Sequence, residues 1–311
     1  MSDAAPLFKK LCLIGLGLIG SSIARAARAK NAVREIAAFD ASPAVLARVR
    51  ELRIADDASG DFKGALRGAD LVILCVPVGA MVAVAQSCAP FLERGAILSD
   101  VGSVKGSVAA QVAPHVPEGV HFVPAHPLAG TEYSGPDSGF ATLFHNRWCL
   151  LTPTKDTDAN MVEELAEFWK RLGARVEATT PEHHDLALAV TSHLPHLIAF
   201  NIVGTAAHLE TVTQSEVIKF SASGFRDFTR IAASDPTMWR DVFLHNKDAV
   251  LDMLGRFNAD LASLQRMIED GDGQGLFDLF TRTRAIRKGI VEQGQDTAAP
   301  DFGREHGEKT P

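Results

Sequence analysis

The chain has 311 residues, a size that favours two domains and leaves room for a substantial core. Hydrophobic residues make up 46% and charged residues 22%, and the net charge of −7 contains no block of like charge. That balance places the chain among globular proteins and offers no basic surface to nucleic acid or an anionic membrane, although an anionic substrate needs only one or two local cations.

Cys12, Cys75, Cys88 and Cys149 show no CxxC spacing, which reads as reduced thiols in a cytoplasmic protein. Lys9-Lys10 ahead of the apolar stretch from Leu11 imitates a secretion signal. Gly15, Gly17 and Gly20 punctuate that stretch, and Arg25 and Arg28 follow closely. By the same reading, no other apolar run reaches the ~18 residues of a membrane span.

Residues 10–180 alternate short apolar runs with amphipathic patterns, the signature of βαβ units on a mostly parallel sheet. The strands are expected at Lys10–Ile14, Glu35–Phe39, Leu71–Val76, Ala96–Asp100, His121–Ala125, Trp148–Thr152 and Arg175–Ala178. The first runs into Gly15-Leu16-Gly17-Leu18-Ile19-Gly20, a GxGxxG between strand and helix. In that context the glycines give a tight turn, backbone approach to a pyrophosphate and close helix packing. The helix N-terminus adds free N–H groups. Gly15, Gly17, Leu18, Ile19 and Gly20 are therefore candidate cofactor contacts, joined by Val76 at the end of the third strand. Asp40 closes the second strand, where a carboxylate would bind the ribose hydroxyls. Ala41, Ser42 and Pro43 follow it, with no arginine to pair a 2′-phosphate, which favours NAD over NADP.

Ligands collect at the carboxyl ends of such strands. The fourth strand ends in the segment Ser99–Lys105 and the fifth runs into His126–Glu132, placing two polar, glycine-containing loops beside the expected nicotinamide position. His126 suits a proton acceptor because imidazole titrates near neutrality. A hydroxyl from Ser103 could orient it or hold the substrate, and Ser103 is also a candidate cofactor contact. After Thr179-Thr180-Pro181 the pattern turns helical to about Ile290, with Asp235-Pro236 reading as N-cap and first helical residue. The expected organisation is a Rossmann-type α/β domain over 1–179, an all-α domain over 180–293 and a disordered tail over 294–311.

The glycine fingerprint, Ser99–Lys105, His126–Glu132, Ser192-His193-Leu194-Pro195-His196 and Gly224-Phe225-Arg226-Asp227-Phe228-Thr229-Arg230 occur together and in this order. In these the chain resembles the prephenate/arogenate (cyclohexadienyl) dehydrogenase family, from Leu11 to about Ile290. The resemblance implies NAD-dependent oxidative decarboxylation in tyrosine biosynthesis, with His126 taking the ring-hydroxyl proton beside Ser103. It further implies Arg230 on the ring carboxylate, His196 near nicotinamide and substrate, Thr131 and Glu132 bordering the pocket, and a homodimer through the helical part.

The residues leave other readings open. His193 and His196, with the His183-His184 doublet nearby, could be metal ligands, although HExxH is absent. Arg226 fits either a substrate contact or a surface ion pair, and Trp239 and Phe243 read as packing. A dehydrogenase of the β-hydroxyacid type would share the plan but use a lysine from the helical domain. A nucleotide-sensing protein without catalysis would be distinguished by NAD binding without turnover.

Overall fold

In the computed structural model, which describes residues 5–131, 133–207 and 223–290, strands and helices alternate around a parallel sheet. Strands β1 (Phe8–Ile14), β2 (Val33–Phe39), β3 (Asp57–Ser59), β4 (Leu71–Leu74), β5 (Ile97–Asp100) and β6 (His121–Val123) pair in the order β3-β2-β1-β4-β5-β6. Every pairing in this sheet is parallel. The order reverses between β1 and β4, which opens a crevice at their carboxyl ends. Helices α1 (Leu18–Ala29), α2 (Pro43–Glu51), α3 (Phe62–Leu66), α4 (Met81–Cys88) and α5 (Gly106–Val112) make the sheet's crossovers, and α6 (Ala159–Arg171) packs on β6.

Strand β1 shows why the sheet is buried on both faces. Leu11 and Leu13 join one core cluster, with Ile23, Phe168 and Trp169, whereas Cys12 and Ile14 join another, with Met81, Val108 and Trp239. Alternate side chains leave opposite faces of a strand, so a continuous apolar run fills both layers. Burial pushes the Cys12 and Cys88 thiols up to about 12, which leaves them as unreactive packing groups.

Two strands differ from expectation. β3 is a three-residue edge strand, too short to show a period in sequence. The strand expected over His121–Ala125 breaks at Pro124, and the chain resumes as β7 (Ala125–Pro127) in a second sheet. Proline has no N–H to continue a ladder, and its carbonyl accepts the Thr152 N–H at 2.9 Å. β7 runs antiparallel to β8 (Trp148–Leu151), pairing His126 with Leu150, and β8 runs parallel to β9 (Arg175–Ala178). His126 therefore sits within a strand, not in the loop after one.

Thr180 then caps α7 (Pro181–Leu188), its hydroxyl accepting the His183 N–H, with Pro181 at the first helical position. A π-helical turn over Ala189–His193 leads into α8 (Leu194–Ala207). Pro195 cannot donate to the helical ladder, and the wider turn directly precedes it. Next come α9 (Ser223–Thr229), a 3-10 turn over Arg230–Ala233, and α10 (Pro236–His245), capped by Asp235 at the Met238 N–H. Helices α11 (Lys247–Glu269) and α12 (Gly273–Ile290) follow.

The helical run Pro181–Ala207 has 27 residues, and an 18-residue window within it has a mean hydropathy of 1.5, long and apolar enough to cross a membrane by length and composition. This corrects the reading that no further run reaches that length: polar Thr191, Ser192 and His193 interrupt the apolar letters but not the helix. Its first half is tied to neighbouring segments by buried hydrogen bonds of His184, Asp185 and His193.

The chain forms two compact units, Met1–Met253 and Leu254–Pro311. In the second, the end of α11 and α12 meet at Gly271, which has a positive φ of 68°. None of its described residues is buried, and Leu261, Ile268, Phe277, Phe280 and Ile286 are exposed. Helices that leave so much apolar surface uncovered are suited to association. The tail expected over 294–311 lies outside the described residues.

Candidate active site

The glycine turn is built for a dinucleotide. Gly15 has φ +96°, and a Cβ there would come within 2.5 Å of the Cys75 carbonyl oxygen. At Gly20 a Cβ would lie 2.1 Å from the Gly15 carbonyl oxygen, so helix and turn touch only because it is absent. At Gly17, the N-cap of α1, a Cβ would meet nothing within 4 Å, and no side chain satisfies the cap. Open space above uncapped N–H groups is where a pyrophosphate fits. Leu18 is buried and Ile19 packs on the core, so both can offer only backbone N–H groups to a ligand. Val76 follows the end of β4 and packs against Gly15.

Asp40 has a role beyond the expected ribose contact. Its Oδ2 accepts the Leu16 N–H at 2.9 Å, and Oδ1 accepts the Ser42 N–H at 2.9 Å. The carboxylate thereby braces the glycine turn from the neighbouring strand.

Around His126 the chain assembles a buried polar cluster. Its Nδ1 lies 2.9 Å from Nε2 of His184, and Nδ1 of His184 lies 2.8 Å from Oδ1 of Asp185. Asp185 also accepts the N–H groups of Lys105 and Gly106, each at 2.8 Å. Lys105 is wholly buried: its ammonium pairs with Asp100 and donates to the Ala125 carbonyl at 2.7 Å. It thereby ties the end of β5 to the strand that carries His126. Burial lowers the Lys105 pKa and the adjacent Asp100 opposes that shift.

His126 is held well below its ordinary 6.5, first by burial and then by repulsion from His184, Lys105 and His193. It is therefore a neutral imidazole at neutral pH. His193 is pushed down to about 4, mainly by burial, with Asp185 opposing. Asn246 holds it, one amide nitrogen donating to the Asp185 carbonyl at 2.8 Å and contacting His193 Nδ1 at 3.0 Å. Ser103 is half-buried, and its backbone lies against His193.

His196 and Arg230 neighbour this cluster, joined to it through Trp239. The His196 ring stacks on Trp239 at 3.6 Å, and its Nδ1 donates to the Ser192 carbonyl at 2.8 Å, which leaves Nε2 as an acceptor. Burial lowers its pKa, and the positive charge of Arg230 acts in the same direction. Arg230 begins the 3-10 turn that packs on α8. Trp239 also meets His193 edge-on at 6.1 Å, so one indole links the two groups of histidines. Arg226 is exposed and pairs with Asp227 at 3.9 Å, a surface contact of little energetic weight.

Thr131 is half-buried, and Glu132 lies outside the described residues. The same loop reaches back to the nucleotide half. Arg48 of α2 forks onto Asp137 at 2.6–2.9 Å, and the Ser22 hydroxyl of α1 accepts the Phe140 N–H at 3.1 Å.

Sequence reasoning missed His184, Asp185, Lys105 and Asn246. The histidine doublet drew notice only as possible metal ligands, yet His183 is exposed while both ring nitrogens of His184 are engaged within the protein. Among the described residues no three His, Cys, Asp or Glu side chains cluster as a metal site.

The prephenate dehydrogenase nucleotide-binding domain matches residues 23–178, and the prephenate dehydrogenase dimerization domain matches residues 180–282. The cyclohexadienyl dehydrogenase of Zymomonas mobilis is 43% identical over 281 residues, covering 90% of this chain and 96% of that protein. The prephenate dehydrogenase of Bacillus subtilis is 34% identical, covering 94% of this chain and 78% of that protein. The crystal structure of Aquifex aeolicus prephenate dehydrogenase with hydroxyphenyl propionate and NAD+ superposes with a TM-score of 0.86 at 32% identity, covering 93% of this chain and all of that one. Synechocystis arogenate dehydrogenase gives 0.77 at 28% identity, over 90% of this chain and 99% of that one. With both halves matched in order around this histidine-lined site, the chain belongs to the prephenate dehydrogenase family.

Proposed function

We propose that the chain oxidises and decarboxylates prephenate, arogenate or both, giving 4-hydroxyphenylpyruvate or tyrosine. The observation that carries this reading is a buried, neutral histidine, His126, beside the carboxyl ends of a nucleotide-binding sheet in a chain of this family. Bound in the glycine turn, NAD supplies the hydride acceptor.

The remaining work falls to the protein. As hydride leaves the ring carbon bearing the hydroxyl, His126 takes the hydroxyl proton, so that a neutral carbonyl and not a protonated ketone forms. Electrons from the bond to the departing CO₂ then enter the ring, which becomes aromatic. The proton returns from His126 to the phenolate oxygen, leaving the site as it began. Because aromatisation drives the step, the protein chiefly orients the ring and manages one proton. Ser103 is assigned to the same hydroxyl. Arg230 is assigned to the ring carboxylate, because its planar fork fixes orientation as well as charge. His196, Thr131 and Glu132 complete the pocket.

On this reading residues 1–179 bind the cofactor, 180–293 complete the substrate site and pair two copies into a homodimer, and the enzyme is cytoplasmic. The exposed apolar residues of α12 support the pairing.

Two expected results follow from the assigned contacts. Arg230→Ala should raise KM for the cyclohexadiene by about tenfold or more with a smaller change in kcat. Initial rates would check this, and an unaltered KM would return Arg230 to structure. Asp40→Ala should narrow the preference for NAD over NADP and raise KM for both, since it loses the ribose contact and the brace on Leu16 together. An unchanged NAD/NADP ratio would take Asp40 off the ribose. The activity itself is tested by reduced-cofactor absorbance with each cyclohexadiene.

A further inference from the structure

Among the buried groups that this chemistry leaves unused, His184 and Asp185 lie in line with His126. We infer that they are positioning residues which hold His126 in the tautomer whose Nε2 lone pair faces the substrate. The inference rests on His126 being the proton acceptor.

The hydrogen-bond chain leaves one consistent assignment of protons. Asp185 already accepts two backbone N–H groups, from Lys105 on one oxygen and Gly106 on the other, so both its oxygens act as acceptors. Its contact with His184 at 2.8 Å therefore takes a proton from His184 Nδ1. Burial keeps His184 neutral against the pull of Asp185, so its Nε2 carries only a lone pair. At 2.9 Å that lone pair must accept from Nδ1–H of His126. A neutral His126 with its proton on Nδ1 has its basic site at Nε2. The opposite tautomer would place two lone pairs face to face within a buried cluster, an unpaired arrangement that burial penalises.

The same carboxylate serves a second purpose. The backbone N–H groups it holds lie two and three residues after Ser103. Asp185 thus fixes the loop carrying Ser103 and, through His184, the tautomer of His126. Asn246 anchors the Asp185 backbone in turn, donating to its carbonyl at 2.8 Å. Proton acceptor and hydroxyl partner are set by one acid on α7.

The test compares two replacements of similar size at position 184 in the full chain. Glutamine can place its amide oxygen where Nε2 of His184 accepts, whereas leucine fills the space without an acceptor. His184→Leu should lower kcat by about a hundredfold or more with NAD affinity retained, and His184→Gln should recover at least about tenfold of that loss. A packing role would make the two variants alike, so equal kcat values overturn the relay. Nitrogen-15 shifts of His126 in the unaltered protein give a reading independent of variant folding. Protonated Nδ1 and unprotonated Nε2 are expected, and the reverse overturns the relay. His126→Asn, measured alongside, separates the two readings. Full turnover in that variant sinks the proton-acceptor assignment and the relay with it, whereas a large loss there beside equal Leu and Gln variants sinks the relay alone.

Discussion

Replacing His126 with asparagine is expected to lower kcat by about 10²–10⁴-fold while leaving NAD affinity close to that of the unaltered enzyme. Asparagine suits this experiment because its amide N–H₂ can stand in for Nδ1–H and still donate to His184, so the buried cluster keeps its hydrogen bond. What disappears is the basic nitrogen at the other end of the ring. The pH dependence follows from the same group. Burial and the neighbouring His184, Lys105 and His193 hold His126 well below 6.5, so the active, neutral form prevails through neutrality. Turnover should stay level as pH falls through 6.5 and decline only at lower pH, as His126 protonates. A decline centred at 6.5 or above, or undiminished turnover in the variant, would assign the proton to another group.

Lys105→Met should cost about 3–5 kcal/mol of folding stability, the usual penalty for removing one partner of a buried ion pair. The lysine is wholly buried, so methionine preserves much of its volume and the loss falls on Asp100, which would keep a buried charge without its counterion. It would also free the Ala125 carbonyl that fixes the strand of His126, so kcat should fall along with stability. Urea denaturation of both proteins measures the first effect. Adding Asp100→Asn to Lys105→Met should restore part of the stability, because the stranded charge is gone. A single variant as stable as the parent would show that the pair is solvated in solution.

Much of the nucleotide half was legible in sequence because its signals are local. The GxGxxG turn depends on residues within one strand-helix junction, and Asp40 falls at the strand end that the spacing requires. Thr180-Pro181 and Asp235-Pro236 likewise declared the starts of α7 and α10, since capping is decided by neighbours in the chain. The break at Pro124 was readable in principle, but only the change of strand partner shows that it moves His126 into a separate sheet.

The interior of the site was less legible, because its partners are far apart in sequence. His126 and His184 are separated by 58 residues, and Lys105 and Asp185 by 80. In sequence His184 is half of a histidine doublet, and only the helix phase that buries it while exposing His183 tells them apart. Lys105 closes a polar loop in sequence, and only the fold shows Asp100, five residues before it, turned inward beside it. The second role of Asp40, as brace of the glycine turn, was hidden for the same reason: its partner Leu16 lies on the adjoining strand-helix turn, 24 residues away.

The central claim, turnover of a cyclohexadiene by this chain, is tested most directly by following reduced-cofactor absorbance with prephenate and arogenate, each against NAD and NADP. Turnover of at least one cyclohexadiene, faster with NAD than with NADP, is the expected result. No turnover in any of the four mixtures, from folded protein shown to bind NAD, would contradict it and leave a nucleotide-binding protein of this fold with another substrate or none.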